Sequence, residues 1–249
     1  MKKEISIRNR NRSIFAVIYY PEKEGKGPAV IMSHGYNGSH VDWDRECTYF
    51  SENGFVALAF DFCGGSANSK SDGSGVDMTI SSEVSDLLAV FNYAAGLDQV
   101  DDRNIFFQGG SQGGLVSALT ADKLLDKVRG VMLYYPAFCI ADDWTKKYET
   151  PDEAPEVIPF WNHTIGRAYV KDVYKRDFYS EIGKYKGNVL IIHGDKDPVV
   201  SMQYVEKVKE SYEHAELIVL NGEGHGFSPD AIKSCTKKLL SFMEENLVK

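Results

Sequence analysis

The sequence predicts an α/β fold in which a mostly parallel central sheet is covered by helices on both faces. Short segments that are apolar throughout recur along the chain, which is typical of parallel strands buried on both sides. Segments of helical length and amphipathic spacing separate them. The chain has 249 residues, 43% of them hydrophobic, which is enough for one large core. We therefore expect a single domain over residues 1–249.

Eight strands are predicted, each bounded by turn-forming residues. The first two form a hairpin around the turn Asn9-Arg10-Asn11-Arg12, and helices or an insertion separate the others. The predicted strands cover 4–9, 13–20, 28–34, 55–60, 104–108, 128–135, 188–193 and 215–220.

Five helices are predicted from apolar spacing and from glycine stops such as Gly54 and Gly96. Residues 61–77 are rich in Gly, Ser, Asn and Asp, which predicts a loop. The predicted helices cover 43–53, 79–95, 115 to about 125, 201–212 and 229–247.

Residues 137–185 interrupt this alternation of strands and helices. The segment is rich in aromatic residues, contains Pro151, Pro155 and Pro159, and shows no strand periodicity. We expect a small cap of short helices and loops, inserted after the sixth strand.

Composition excludes several classes of function. The formal net charge is −8 and Lys and Arg form only short runs, which argues against a surface for nucleic acid or anionic membranes. No segment is long enough to span a bilayer, and the N-terminus lacks the apolar region of a signal peptide. The cysteines form no C-x-x-C pair, which predicts reduced thiols in a cytoplasmic protein rather than a zinc or redox site. They are Cys47, Cys63, Cys139 and Cys235.

The stretch Gly109-Gly110-Ser111-Gln112-Gly113-Gly114 lies between a predicted strand and a predicted helix. A serine at this position forms a nucleophile elbow, in which a sharp turn exposes the hydroxyl above the positive end of a helix. Glycines beside it remove the Cβ atoms that would clash with the turn. From this stretch alone, a glycine-rich turn with an inert serine remains the alternative.

Two further loops supply partners for Ser111, because ligands meet the carboxyl ends of strands in such a sheet. Asp197 follows the seventh strand and His225, between two glycines, follows the eighth. A histidine there can act as general base, and a carboxylate can orient it. Asp195 competes for the carboxylate role, but it directly follows Gly194 and can simply cap the turn.

An oxyanion hole is predicted from backbone N–H groups. The loop His34-Gly35-Tyr36-Asn37-Gly38 follows the third strand, where an ordinary β–α turn is the alternative. The expected donors are the N–H of Tyr36 and that of Gln112, directly after the serine. Acyl transfer by these groups needs no metal and no organic cofactor.

The chain order Ser…Asp…His resembles that of the α/β-hydrolases, and this resemblance covers nearly the whole chain. More narrowly, the length, the cap position and the Ser111-Gln112-Gly113-Gly114 elbow resemble bacterial cinnamoyl/feruloyl esterases. The motifs that carry the resemblance are His34-Gly35, Gly109-x-Ser111-x-Gly113, His193-Gly194-x-x-Asp197-x-x-Val200 and Gly224-His225.

The resemblance implies an aromatic acyl pocket shaped by the cap. Asp143 and Tyr169 match the residues that hold a phenolic hydroxyl in that family, with the adjacent Asp142 as an alternative to Asp143. Cap aromatics such as Trp161 are expected as substrate walls, or as the packed core of the cap. Gly110 stands where the family usually has His.

The loop Asp61-Phe62-Cys63-Gly64-Gly65-Ser66 is a second departure, because relatives more often carry Gly-His-Gly there. Both departures spare the predicted triad and affect the pocket.

The expected function is that of a serine carboxylic-ester hydrolase on a small ester with an aromatic, feruloyl-type acyl group. One alternative is a thioesterase or peptidase-like hydrolase of the same fold. Peptidases of this fold usually carry a propeller or large lid domain, for which 249 residues leave no room. Another alternative is a non-catalytic binding protein, which has no need of an intact triad. The sequence leaves a homodimer open.

Overall fold

A computed structural model describes residues 1–248 of the protein. The strands are β1 (Lys2–Asn9), β2 (Arg12–Tyr19), β3 (Gly27–Ser33), β4 (Val56–Phe60), β5 (Val100–Gly110), β6 (Gly130–Tyr134), β7 (Val157–Phe160), β8 (His163–Gly166), β9 (Asn188–Gly194) and β10 (Ala215–Leu220). The helices are α1 (Asp44–Glu52), α2 (Ile80–Ala95), α3 (Gln112–Leu124), α4 (Ile140–Lys147), α5 (Arg167–Val173), α6 (Met202–Glu210) and α7 (Pro229–Glu245).

Eight of the strands form one sheet in the order β1-β2-β4-β3-β5-β6-β9-β10. The pairs β1–β2 and β2–β4 are antiparallel, and the other five pairs are parallel. The predicted α/β class with a mostly parallel sheet is therefore confirmed.

Alternate residues of the central strands enter two separate cores, because side chains along a strand point to opposite faces. In β3, Ala29 and Ile31 pack with residues of α2, α3 and α6, whereas Val30 and Met32 pack with residues of α1 and α7. Burial on both faces explains why these strands are apolar throughout.

The segment between β6 and β9 contains the short helices α4 and α5, as expected, but also the antiparallel hairpin β7–β8. The prediction of a cap without strands was wrong on this point. Trp161 and Asn162 connect the two strands with φ angles of 42° and 58°. Two-residue hairpin turns favour positive φ at both positions and usually contain Asn-Gly or Asp-Gly, so the pair Trp-Asn gave no turn signal. Pro159 within β7 also obscured the strand.

None of the helices within residues 1–248 combines the length and the apolar character that crossing a membrane requires.

Candidate active site

Ser111 lies at the junction of β5 and α3 with φ 53° and ψ −121°, a conformation that costs a non-glycine residue roughly 1–3 kcal/mol. Its neighbours show why the turn contains glycine. A Cβ on Gly109 would lie 2.3 Å from the carbonyl oxygen of Gly113. A Cβ on Gly113 would lie 2.3 Å from the carbonyl oxygen of His34. Only glycine, which has no Cβ atom, fits at these two positions. The two glycines therefore allow the strained turn at Ser111.

The structure brings Ser111, His225 and Asp197 together. His225 Nδ1 lies 2.8 Å from Asp197 Oδ2, and His225 Nε2 lies 3.0 Å from Ser111 Oγ. An ionised carboxylate only accepts hydrogen bonds, so the Nδ1 atom carries the proton. Nε2 is then free to accept the hydrogen bond from the Ser111 hydroxyl.

The surroundings of Asp197 favour its ionised form, which accepts the hydrogen bond from His225 Nδ1. Burial alone would raise the pKa of its carboxyl, but the hydrogen bond to His225 and those from the backbone N–H groups of Val199 and Val200 outweigh burial and lower the pKa. Asp195 instead accepts a hydrogen bond from the N–H of Gly222 at 2.7 Å. It therefore caps a turn, which is the alternative role that the sequence predicts for it.

Two backbone donors adjoin Ser111 without partners. Within residues 1–248, the N–H groups of Tyr36 and Gln112 donate no hydrogen bond. Gln112 begins α3, where the helix dipole favours negative charge. The loop that carries Tyr36 packs against the serine, since a Cβ on Gly35 would lie 3.2 Å from Ser111 Cβ. Such a pair of free N–H groups is suited to an oxyanion.

Two cavities meet at Ser111. The cap cavity, of about 370 Å³, is lined by Ser111 and Gln112 together with residues of the cap. The elbow cavity, of about 310 Å³, is lined by Ser111 and His225 together with residues of α1 and of the 3₁₀ turn before it. Tyr36 and Trp161 line both cavities.

The structure separates the two candidate aspartates of α4. Asp143 lines the cap cavity. Asp142 instead accepts a hydrogen bond from the hydroxyl of Tyr204 at 2.9 Å and does not line the cavity. The cap cavity also has aromatic walls, formed by Tyr36, Trp144, Phe160, Trp161 and Tyr169.

Tyr169 has a partner that the sequence did not predict. Its hydroxyl donates to Gln112 Oε1 at 2.8 Å, and Gln112 Nε2 donates to Glu83 Oε2 at 2.9 Å. All three side chains are buried. Tyr169 lines the cap cavity, but its only proton is already used, so it can only accept from a ligand.

Glu83 was missed in the sequence, although one signal marked it: a carboxyl on the apolar face of the predicted helix 79–95. Burial raises the pKa of Glu83 well above its usual value, and the hydrogen bond from Gln112 offsets only part of this rise. Within residues 1–248, no group of three His, Cys, Asp or Glu side chains is arranged to hold a metal ion.

The parallel sheet, the elbow serine and the loops after β9 and β10 define an α/β-hydrolase fold with the site of a serine hydrolase. The pattern of the prolyl oligopeptidase family, peptidase family S9, matches residues 40–249, and the chain belongs to that family.

Solved structures of esterases share the fold. The present chain is 27% identical in sequence to Est1E from Butyrivibrio proteoclasticus, whose structure with ferulic acid bound superposes with a TM-score of 0.87. The match covers 98% of this chain and 100% of that one. A second structure of Est1E is 24% identical with a TM-score of 0.82, over 97% and 99% of the two chains. The predicted resemblance to esterases of this fold is confirmed.

The acetyl esterase Axe7A from Xylanibacter ruminicola is 27% identical over 150 residues. This match covers 52% of the present chain and 34% of Axe7A, so it spans about a third of the length of that relative.

Proposed function

We propose that the protein is a serine carboxylic-ester hydrolase that acts through an acyl-enzyme. The observation that carries the proposal is the hydrogen-bonded series Ser111–His225–Asp197 at the junction of two cavities. The contact between Ser111 Oγ and His225 Nε2 has the length that proton transfer needs, and the contact between His225 Nδ1 and Asp197 Oδ2 is a hydrogen bond that orients the ring.

The proposed reaction has two steps of acyl transfer. His225 Nε2 takes the proton of Ser111 as Oγ attacks the ester carbonyl, while the N–H groups of Tyr36 and Gln112 bind the oxyanion. Asp197 holds the ring and stabilises its charged form. His225 then protonates the leaving alcohol, and water repeats the sequence to release the acid.

For the acyl group we propose a hydroxycinnamate, bound in the cap cavity. The supporting features are its aromatic walls and Asp143, whose carboxyl can accept a hydrogen bond from a phenolic hydroxyl. A further support is that Est1E, which has a similar fold, binds ferulic acid.

The test is hydrolysis of methyl ferulate beside p-nitrophenyl acetate and p-nitrophenyl butyrate. Ser111→Ala should lower kcat by roughly 10⁶, by analogy with triad deletions in other serine hydrolases. Ser234→Ala, an exposed serine of α7, serves as the matched control and should leave kcat unchanged.

Each outcome has a defined meaning for the proposal. Turnover of ferulate that is lost in Ser111→Ala supports the whole proposal. Turnover of only the short acyl esters keeps the esterase and rejects the aromatic acyl group. Activity that survives in Ser111→Ala rejects the triad.

The alternative that family membership favours is a peptidase-like hydrolase of amides, and a thioesterase of the same fold is the second alternative. An aminoacyl p-nitroanilide and an acyl-CoA, tested beside the oxygen esters, separate these reactions. A kcat/KM for either that exceeds the value for methyl ferulate would reassign the bond that is cleaved.

A further inference from the structure

The elbow cavity and the cap cavity contain different parts of the proposed machinery. His225 lines the elbow cavity, whereas Gln112 and Asp143 line the cap cavity. In acyl transfer by a serine, the histidine delivers its proton to the leaving group, which must therefore lie on the histidine side. If the proposed function holds, the alcohol part of the ester occupies the elbow cavity.

Glu46, in the first turn of α1, is an unusual lining residue of this cavity. It is only 4% exposed, and within residues 1–248 its carboxyl accepts a hydrogen bond from its own backbone N–H but none from another residue. Two other buried carboxylates do accept hydrogen bonds from other residues. Asp61 accepts two from His40, and Asp86 accepts one from Asn9. The Glu46 carboxyl therefore has acceptor capacity that a donor on a ligand can use.

Gly110 keeps the same cavity open. A Cβ at this position would lie 3.4 Å from Trp43 and 3.6 Å from Tyr135, which are ordinary contact distances. The turn therefore does not require glycine here, unlike at Gly109 and Gly113. The missing side chain leaves space next to the rings of Trp43 and Tyr135 on the side where Ser111 and His225 lie.

The polar lining of the elbow cavity includes both carboxyls and donors such as the indole N–H of Trp43. Among residues 1–248, the lining contains the carboxyls of Asp42 and Glu46 and no lysine or arginine. Asp42 already accepts a hydrogen bond from the N–H of Ser39 at 3.0 Å. Asp42 is exposed to solvent, so Glu46 is the buried carboxyl of the lining and the one shielded from competition by water.

We propose that the elbow cavity binds the leaving alcohol, and that Glu46 selects alcohols with a further hydrogen-bond donor by accepting a hydrogen bond from it. The donor is a second hydroxyl or an ammonium group, since both complement a carboxyl between aromatic rings. The proposal makes Glu46 a specificity-determining residue for the leaving group and rests on the proposed esterase function.

The experiment compares four ferulate esters that differ only in the alcohol: ethyl, 2-methoxyethyl, 2-hydroxyethyl and 2-(dimethylamino)ethyl. Wild type should favour a donor-bearing ester over the 2-methoxyethyl ester by roughly tenfold in kcat/KM, the effect of one hydrogen bond in a buried site. Glu46→Leu should reduce this ratio to about one. Glu52→Leu, at an exposed position of the same helix, should keep it.

Glu46→Gln distinguishes the two donors. Glutamine keeps an acceptor oxygen but no charge, so a preference for the hydroxyl should survive and a preference for the ammonium should be lost. Equal kcat/KM for all four esters in wild type, or a preference that persists in Glu46→Leu, would overturn the proposal.

Gly110→Leu provides an independent test if Glu46→Leu fails to fold. Its side chain should fill the cavity and lower kcat/KM for the three longer alcohols more than for methyl ferulate. An equal loss for all alcohols would overturn the proposed location. Failure of the esterase function is a separate result: no ester is hydrolysed, or hydrolysis persists in Ser111→Ala.

Discussion

At the scale of single residues, the elbow shows which glycines the fold requires. Gly109 and Gly113 face carbonyl oxygens at distances that exclude a methyl group, so the backbone itself determines these two positions. Gly110 faces only side-chain atoms at contact distance. The motif G-x-S-x-G therefore has a steric cause, and the residue between the first glycine and the serine is free to vary with the ligand.

This difference predicts the effects of two matched substitutions. Gly113→Ala should lower Tm by roughly 5–10 °C, because the backbone must move away from the carbonyls of Ser33 and His34. Gly110→Ala should change Tm by less than about 2 °C, because its methyl group meets no atom closer than 3.4 Å. Thermal unfolding followed by circular dichroism measures both. Equal shifts for the two variants would contradict the steric argument.

At the scale of elements, the series Glu83–Gln112–Tyr169 joins α2, α3 and α5 beneath the serine. Gln112 contributes a proposed oxyanion donor through its backbone, and its side chain is fixed by a partner at each end. The cap helix α5 is thereby tied to the first residue of α3. We infer that Tyr169 positions Gln112.

Tyr169→Phe tests this positioning role against direct binding of substrate. Loss of the hydroxyl should lower kcat by roughly two- to tenfold for methyl ferulate and methyl cinnamate alike, because the oxyanion forms with both. If Tyr169 instead binds the phenolic hydroxyl, KM should rise for ferulate and stay constant for cinnamate, which lacks that group. Tyr204→Phe is the control, since the Tyr204 hydroxyl bonds Asp142 away from the cavity.

The same elements show what the sequence can and cannot predict. Apolar strands and glycine stops are local signals, and they predict the sheet. The chain order of Ser111, Asp197 and His225, each after a predicted strand, predicts the residues that meet at the edge of the sheet. The contacts of Tyr169 with Gln112 and of Gln112 with Glu83 join residues 57 and 29 positions apart, and no local pattern encodes them. The choice between Asp142 and Asp143 depends on how α4 is rotated against the cavity, which is a property of packing.

At the scale of the whole molecule, the site depends on the complete sheet. His225 and Ser111 are 114 positions apart and meet because β5 and β10 end at the same edge, with β6 and β9 between them. Any group that weakens the packing of α2 and α3 on this sheet weakens the site as well. Glu83 lies in this packing: its carboxyl is buried, accepts a hydrogen bond from Gln112 of α3, and has no cationic partner within residues 1–248.

The stability of the protein should therefore depend on pH through Glu83. Its pKa is raised in the folded state by burial, so folding favours the protonated form. Above about pH 4.3, where an exposed glutamate ionises, the unfolded chain loses this proton first and stability falls as pH rises. The fall is about 1.4 kcal/mol for each pH unit between the two pKa values.

Glu83→Gln removes the titrating group and keeps an acceptor for Gln112. Its free energy of unfolding, relative to that of wild type, should increase between pH 5 and pH 8 in urea titrations. Glu206→Gln, an exposed residue of α6, should show no such increase. A constant difference between Glu83→Gln and wild type at both pH values would show that Glu83 is ionised in the folded protein, which would require a cation or water at the base of the oxyanion site to stabilise it.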